Sequence, residues 1–323
     1  MTSLTARVLK TVLKSQMKKE FPTSEAFVKH LRKIMDLPLS FPLTSGVNKR
    51  EATVAGVPGE WLEVDDPVMT IVFFHGGAFI GGRLATYHSF CGQWAKRLNA
   101  RIFLPDYRLA PEHPFPAAVD DCFNVYEDIQ KNYSNQPIVV AGDSAGGNLT
   151  LVTLLQAKEN NIPMPNCALT LSPGTDLTEN VYSRQANAES DAMFDGSVFA
   201  LLKGIYCPDE ELTNPYISPA FGDFSGFPPL CVSVSDQEAL RDDAHKAVHN
   251  AQIANVPVQL ISRDDMPHDW PILYPMLPEA RQDLPLFIEF IKEHTTSVTS
   301  VAREYKEPNK KEVTSEKNIL EAV

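Results

Sequence analysis

The sequence predicts an α/β fold, with a mostly parallel central sheet, helices on both faces and a small helical cap. Three observations carry this. Short apolar runs, rich in β-branched residues, lie at 68–74, 101–104, 137–141, 167–171, 230–234 and 258–261, the pattern of strands buried on both faces. Between them, 87–98, 117–131, 148–158 and 239–254 carry apolar residues at helical spacing. At 323 residues, 43% of them hydrophobic, the chain is long enough to bury one large core and too apolar to be disordered throughout.

Taken in order, residues 1–45 form a helical segment punctuated by Phe21-Pro22, Leu37-Pro38 and Phe41-Pro42. Its first seventeen residues lack the uninterrupted apolar core of a secretory signal. They read as an amphipathic helix packing on the domain, with a membrane-surface helix as the alternative. Strand–helix alternation fills 46–294, the main domain. Residues 178–215 interrupt it with an irregular, partly helical insertion that, with the N-terminal segment, is expected to cover the strand ends. From about 295 to 323, Lys, Glu, Ser and Thr dominate, so this stretch is expected to be a flexible charged tail.

Charge narrows the partners. Lys plus Arg number 29 against 41 Asp plus Glu, a balance of −12. Nucleic acid and anionic membrane both need positive surface, so neither is an expected partner. No run of apolar residues is long enough to span a membrane. The five cysteines, Cys91, Cys122, Cys167, Cys207 and Cys231, are scattered without a C-x-x-C pair. They read as buried thiols of a reducing compartment, which places the chain in the cytoplasm.

The chemistry centres on Gly142-Asp143-Ser144-Ala145-Gly146. The apolar run before it and the helical pattern after it give strand, tight turn and helix, the context of a nucleophile elbow. The turn is strained and holds the serine hydroxyl out, so its flanking positions tolerate little side chain. A serine hydroxyl needs a base to take its proton, and an acid to hold that base. On a nucleophile-elbow sheet the chain order is serine, acid, histidine. Of eight histidines, His30, His75, His88 and His113 precede Ser144. His245 and His249 sit four apart within a helix pattern, and His294 lies in the last helix. His268 remains, in a loop directly after the 258–261 strand, and is the expected base.

The acid is less determined. The 230–234 strand opens into a turn carrying Asp236 and Glu238, followed by Asp242 and Asp243 inside the helix pattern, where they suit its first turn. Residue chemistry does not separate Asp236 from Glu238. For the oxyanion, the 68–74 strand ends in His75-Gly76-Gly77, where bare backbone lets N–H groups approach a developing negative oxygen. Gly76, Gly77 and Ala145, the last at a helix N-terminus, are the expected donors.

These blocks, with Asp106-Tyr107-Arg108-Leu109-Ala110-Pro111-Glu112-His113-Pro114-Phe115-Pro116-Ala117-Ala118 and Ser218-Pro219, resemble the hormone-sensitive-lipase-like (bacterial family IV) esterases and lipases of the α/β-hydrolase superfamily. The likeness covers about residues 60–290. It implies an α/β-hydrolase fold with Ser144 as nucleophile and His268 as base. The family pattern acid-x-Leu-x-Asp falls on Glu238-Ala239-Leu240-Arg241-Asp242 and so implies Glu238 as the acid, with Asp236 as the alternative. Asp106, Arg108 and Glu112 are implied to brace loops rather than to do chemistry. The family often carries His-Gly-Gly-Gly, and Ala78 fills the third position here. Its methyl is expected to narrow the alcohol side of the pocket. The resemblance also implies a cap built from the two irregular segments, with Phe79, Met193, Phe194, Phe199, Leu202 and Tyr206 as candidate pocket residues.

The expected activity is hydrolysis of short- to medium-chain or small-alcohol carboxylic esters through a serine acyl-enzyme. This chemistry requires no metal and no cofactor. Lactone, amide or carbamate hydrolysis would use the same residues. A non-catalytic small-molecule receptor on the same fold is the rival from another class, opposed by the presence of His268. Relatives often pair through an edge strand, so a homodimer is a further expectation.

Overall fold

In the computed structural model, residues 2–35, 42–82, 84–178, 180–194 and 196–304 are described. Eight strands form one sheet in the order β1-β2-β4-β3-β5-β6-β7-β8. The strands are β1 Asn48–Val54, β2 Val57–Glu63, β3 Met69–Phe74, β4 Ala100–Pro105, β5 Ile138–Asp143, β6 Cys167–Leu171, β7 Leu230–Ser235 and β8 Val258–Arg263. From β4 to β8 all neighbours run parallel, while the β1–β2 and β2–β4 pairs are antiparallel. The six parallel strands match the six apolar runs. The β1–β2 hairpin was not expected.

The helices are α1 Leu4–Met17, α2 Ser24–Met35, α3 His88–Leu98, α4 Ala117–Tyr133, α5 Ala145–Glu159, α6 Tyr182–Ala186, α7 Gly196–Tyr206, α8 Arg241–Ile253 and α9 Pro278–Glu304. Strand side chains alternate between faces, and the core divides accordingly. Val72, Phe74, Phe103 and Val140 pack with α4, α5 and the cap helices α2 and α7. Ile71, Phe73, Ile102, Val139 and Leu169 pack with α3 and α9. On that second face Phe73 stands edge-on to Phe90 and Trp94, at ring-centroid distances of 6.0 and 5.9 Å. A third cluster joins α5, β7 and α8.

One boundary needs correction. Residues 295–304, expected in the charged tail, continue α9, and Thr295 is buried with its hydroxyl on Ile291 O at 2.7 Å. The tail expectation for 305–323 lies outside the described residues. The α1 helix packs on the domain as expected: Ala6 is fully buried, Ser3 binds the Glu279 carboxylate, and Lys10 pairs with Asp265. Among the described residues, no helix is long and apolar enough to cross a membrane.

Candidate active site

The site grows out of the ends of β3, β5, β6 and β7 and the loop after β8, the carboxyl edge where open parallel sheets place ligands. Ser144 stands between β5 and α5 with φ 51° and ψ −115°, a conformation that costs a side-chain-bearing residue about 1–3 kcal/mol. The surrounding contacts hold it there. Its N–H donates to Leu171 O at 2.8 Å, and its carbonyl accepts from Asn148 N at 3.1 Å. The residue is 8% exposed.

The glycines of the elbow have a steric reason. A Cβ on Gly146 would lie 2.0 Å from Phe74 O, and one on Gly142 would lie 2.3 Å from Gly146 O. The first turn of α5 therefore presses directly on the ends of β3 and β5. Gly146→Ala is expected to destabilise the fold by about 3 kcal/mol, since backbone on both sides cannot give way. Urea melts check this, and an unchanged midpoint would contradict it.

His268 and Glu238 meet 30 residues apart in sequence. His268 Nδ1 lies 2.6 Å from Glu238 Oε2, and both residues are almost fully buried. The other carboxylate oxygen, Oε1, accepts from Ser172 Oγ and from the Ser235 N–H, each at 2.8 Å. Asp236 faces elsewhere: its Oδ1 accepts from Ser262 Oγ at 2.6 Å on the neighbouring strand β8. The geometry thus brings Glu238, not Asp236, to the imidazole. Asp242 and Asp243 lie in the first turn of α8, as expected, and also tie it to the loop after β6 and to the insertion. Asp243 accepts from the N–H groups of Thr175 and Asp176 and pairs with Arg184, while Asp242 accepts from Ser183 N.

Two acidic residues and one serine at the site carry no signal in the sequence. Asp191 accepts from the N–H groups of Met193 and Phe194 and, through its second oxygen, from Ala239 N beside Glu238. It fastens the cap insertion to the acid's turn. Ser172 receives the Asp269 N–H at 3.3 Å while donating to Glu238. Asp269, in a left-handed conformation at φ 54°, brings Oδ2 to 2.9 Å from His268 Nε2, off the axis of a linear hydrogen bond. Burial alone would lower the imidazole's proton affinity, but the Asp269 and Glu238 carboxylates outweigh it and hold it well above the ordinary histidine range. Burial pushes the Glu238 carboxyl up, opposed by the imidazole.

The oxyanion loop departs from expectation at Gly76. Its N–H is already bonded, at 2.9 Å to both Asp143 Oδ1 and Tyr87 Oη, so it cannot also meet a substrate oxygen. Asp143 is fully buried there, its second oxygen accepting the Tyr87 hydroxyl at 3.0 Å. The triangle pins the loop after β3 to the end of β5. Backbone N–H groups that make no hydrogen bond among the described residues follow directly, at Gly77 and Ala78. Gly77, Ala78 and Phe79 take φ of 121°, 57° and 59°, a run of left-handed backbone that turns the loop toward Ser144. Ala145 N opens α5, where first-turn N–H groups have no partner within the helix. His75 lies behind this loop, stacked on Tyr107 at 4.1 Å with its Nδ1 on Gly76 O, and burial lowers its pKa.

Two cavities meet at Ser144. The larger, about 200 Å³, is lined by His268 and Asp269, by Gly77 and Ala78, and by Met193, Phe194, Ile272 and Leu273. The smaller, about 40 Å³, is walled by Phe79, Leu177, Val198, Phe199, Leu202 and Leu240. Phe79, Met193, Phe194, Phe199 and Leu202 therefore lie where the cap was expected to supply pocket residues. Tyr206 does not. It is 1% exposed and stacks on the back of Phe79 at 3.9 Å, supporting the wall without forming it. Phe194 also packs edge-on against the His268 ring at 4.9 Å. Arg108 and Glu112 brace loops as the resemblance implied, through Asp121 and Arg32 respectively. A wider open groove of about 1070 Å³ between α2 and the Pro111–Pro114 loop contains neither Ser144 nor His268.

Comparison with known proteins agrees with this architecture. A family model described as the alpha/beta hydrolase fold matches residues 71–272. An esterase of Acinetobacter venetianus is 35% identical over 266 residues, covering 80% of this chain and 87% of its own. A carboxylesterase of Mycobacterium tuberculosis is 29% identical over 228 residues, covering 68% and 72%. The crystal structure of an esterase from the bacterial hormone-sensitive lipase family superposes with a TM-score of 0.83 at 28% identity, covering 91% of this chain and 99% of that one. An esterase/lipase from an uncultured bacterium gives a TM-score of 0.81 at 33% identity over the same share. With the sheet order, the strained serine and these likenesses in agreement, the chain belongs to the α/β-hydrolase fold family, among its hormone-sensitive-lipase-like esterases.

Proposed function

We propose that the protein hydrolyses carboxylic esters of short acyl chains through an acyl-enzyme on Ser144. The observation that carries this is the convergence of the strained Ser144 with the buried His268–Glu238 pair at one cavity junction. Ser144 Oγ attacks the ester carbonyl carbon while its proton passes to His268 Nε2, and the carbonyl electron pair moves onto oxygen. The N–H groups of Gly77, Ala78 and Ala145 receive that oxyanion, the last helped by the positive end of α5. Collapse breaks the bond to the alcohol oxygen, which takes the proton from Nε2. Water, deprotonated by the same nitrogen, then releases the acid. Glu238 holds the imidazole tautomer and stabilises its charge.

The base must face the leaving oxygen, so the alcohol belongs in the cavity that His268 lines, and the acyl chain in the smaller one. A space of about 40 Å³ suits a few carbons. Against a series of p-nitrophenyl esters from acetate to laurate, acetate or butyrate is expected to give the highest kcat/KM, with laurate lower by at least about tenfold. Leu202→Ala should move the optimum toward longer chains. Equal rates along the series would contradict the assignment of the acyl pocket, and no hydrolysis of any member would contradict the esterase reading. Five buried free cysteines fit a reducing, cytoplasmic setting for this activity.

The two carboxylates on His268 set the pH dependence. Because they favour the imidazolium, the neutral base forms only at higher pH. The acidic limb of kcat/KM is expected above about 6.5, the ordinary histidine value. Asp269→Asn, which removes one carboxylate, should move that limb to lower pH. A wild-type limb at or below the ordinary value would contradict the electrostatic account.

A further inference from the structure

The ester chemistry leaves one oxygen of a buried carboxylate without a partner. Asp269 is 6% exposed and lines the larger cavity, and its Oδ1 has no hydrogen-bond partner. Its Oδ2 faces His268 Nε2. While the imidazole is charged, the carboxylate has a counter-ion. Ser144 can be deprotonated only by the neutral imidazole, and in that state Asp269 is a buried anion beside an apolar wall. Such a charge is costly until a cation joins it. The protein supplies no such cation, since among the described residues no Lys or Arg lines the cavity, and the other carboxylate there, Asp143, has both oxygens bonded elsewhere. Glu238 is occupied by Nδ1, Ser172 and Ser235.

We propose, resting on the ester-hydrolase reading, that the larger cavity selects esters of positively charged amino alcohols, with the substrate's ammonium group lying against Asp269 Oδ1. The position follows from the chemistry. To protonate the leaving oxygen, Nε2 must come within about 3 Å of it, and Asp269 Oδ2 is 2.9 Å from Nε2. The carboxylate is therefore closest to the first few atoms of the alcohol beyond the ester oxygen, where a 2-aminoethyl or choline-type alcohol carries its charge. Phe194 and Tyr87 line the same cavity and are aromatic side chains of the kind that attract an alkylated ammonium. The net charge of −12 favours approach of a cation over that of an anion. The other wall residues, Leu13, Leu31, Ile34, Met35 and Ile272, accept the alkyl groups around such a nitrogen.

The test compares butyrylcholine with 3,3-dimethylbutyl butyrate, its uncharged carbon isostere, alongside p-nitrophenyl butyrate. Wild-type enzyme is expected to prefer the charged ester by at least about tenfold in kcat/KM, and Asp269→Asn to reduce that ratio to within about threefold of unity. Each enzyme supplies its own ratio, so a general loss of activity in the variant does not mimic the result. Should the variant not fold, inhibition of wild-type p-nitrophenyl butyrate hydrolysis by choline and by 3,3-dimethylbutanol decides, with choline expected to bind more tightly. A wild-type ratio near or below unity, a ratio unchanged in Asp269→Asn, or choline binding no better than the neutral alcohol overturns the proposal. In those outcomes p-nitrophenyl butyrate is still hydrolysed and the esterase reading stands. Failure on all three esters would remove that reading itself.

Discussion

Ser144→Ala is expected to lower kcat on p-nitrophenyl butyrate by about 10⁵–10⁶-fold while leaving the thermal unfolding midpoint close to that of the wild type. The size follows from the loss of the covalent route: without Oγ, His268 has no alcohol to deprotonate and only the oxyanion donors and binding remain. The fold should tolerate the change, because alanine replaces serine with the same backbone contacts, to Leu171 O and from Asn148 N. The positive φ of 51° is imposed by those neighbours, not by the hydroxyl. A residual activity within a factor of about ten of wild type would mean that another group carries the acyl transfer.

Glu238→Gln is the second large effect, an expected loss of about 10²–10⁴-fold in kcat, while Asp236→Asn changes it by less than about threefold. Glutamine keeps the size and the Ser172 and Ser235 hydrogen bonds at one oxygen. Its amide, however, can present an N–H to His268 Nδ1, which favours the tautomer protonated on Nε2 and leaves that nitrogen no lone pair to take the Ser144 proton, while the neutral amide removes the charge that balances the imidazolium. Asp236 lies on Ser262 Oγ and never reaches the ring. Full activity in Glu238→Gln together with a large loss in Asp236→Asn would reverse the assignment of the acid. The glutamate's extra methylene, against the commoner aspartate, is accommodated because the carboxylate is anchored from behind by Ser172 Oγ and Ser235 N–H.

The parallel half of the sheet was readable because strands covered on both faces need continuous apolar side chains, as in Met69–Phe74 and Ile138–Asp143. The β1–β2 hairpin was not, for the opposite reason. Asn48–Val54 is exposed along most of its length and β2 contains Pro58 and Gly59, so neither carries an apolar run. The signal that existed was short: Ala55-Gly56, at φ 51° and 84°, makes the two-residue turn typical of hairpins. At the C-terminal end, charged residues masked a helix whose buried face continues α9 as far as Thr295.

Within the site, chain order and helix periodicity together brought out His268, because both constraints are one-dimensional. Which carboxylate meets it is a three-dimensional question, and Asp236 and Glu238 differ only in how the turn after β7 points them. The Gly76 expectation failed on a similar point. Two adjacent glycines both offer bare N–H groups, but the first is held by Asp143 and Tyr87, so the donors proposed above are the next two, Gly77 and Ala78. Asp269 gives no sign in the sequence at all. Its position beside Nε2 depends on its own left-handed backbone and on Ser172, just past the end of β6.

A covalent intermediate on Ser144 is detected by intact-protein mass spectrometry after rapid acid quench of a reaction with p-nitrophenyl butyrate, or after treatment with a p-nitrophenyl alkylphosphonate. One acyl or phosphonyl group per chain is expected, mapped to the peptide carrying Gly142-Asp143-Ser144-Ala145-Gly146 and absent from Ser144→Ala. An adduct on another residue, or one that persists in Ser144→Ala, would contradict it.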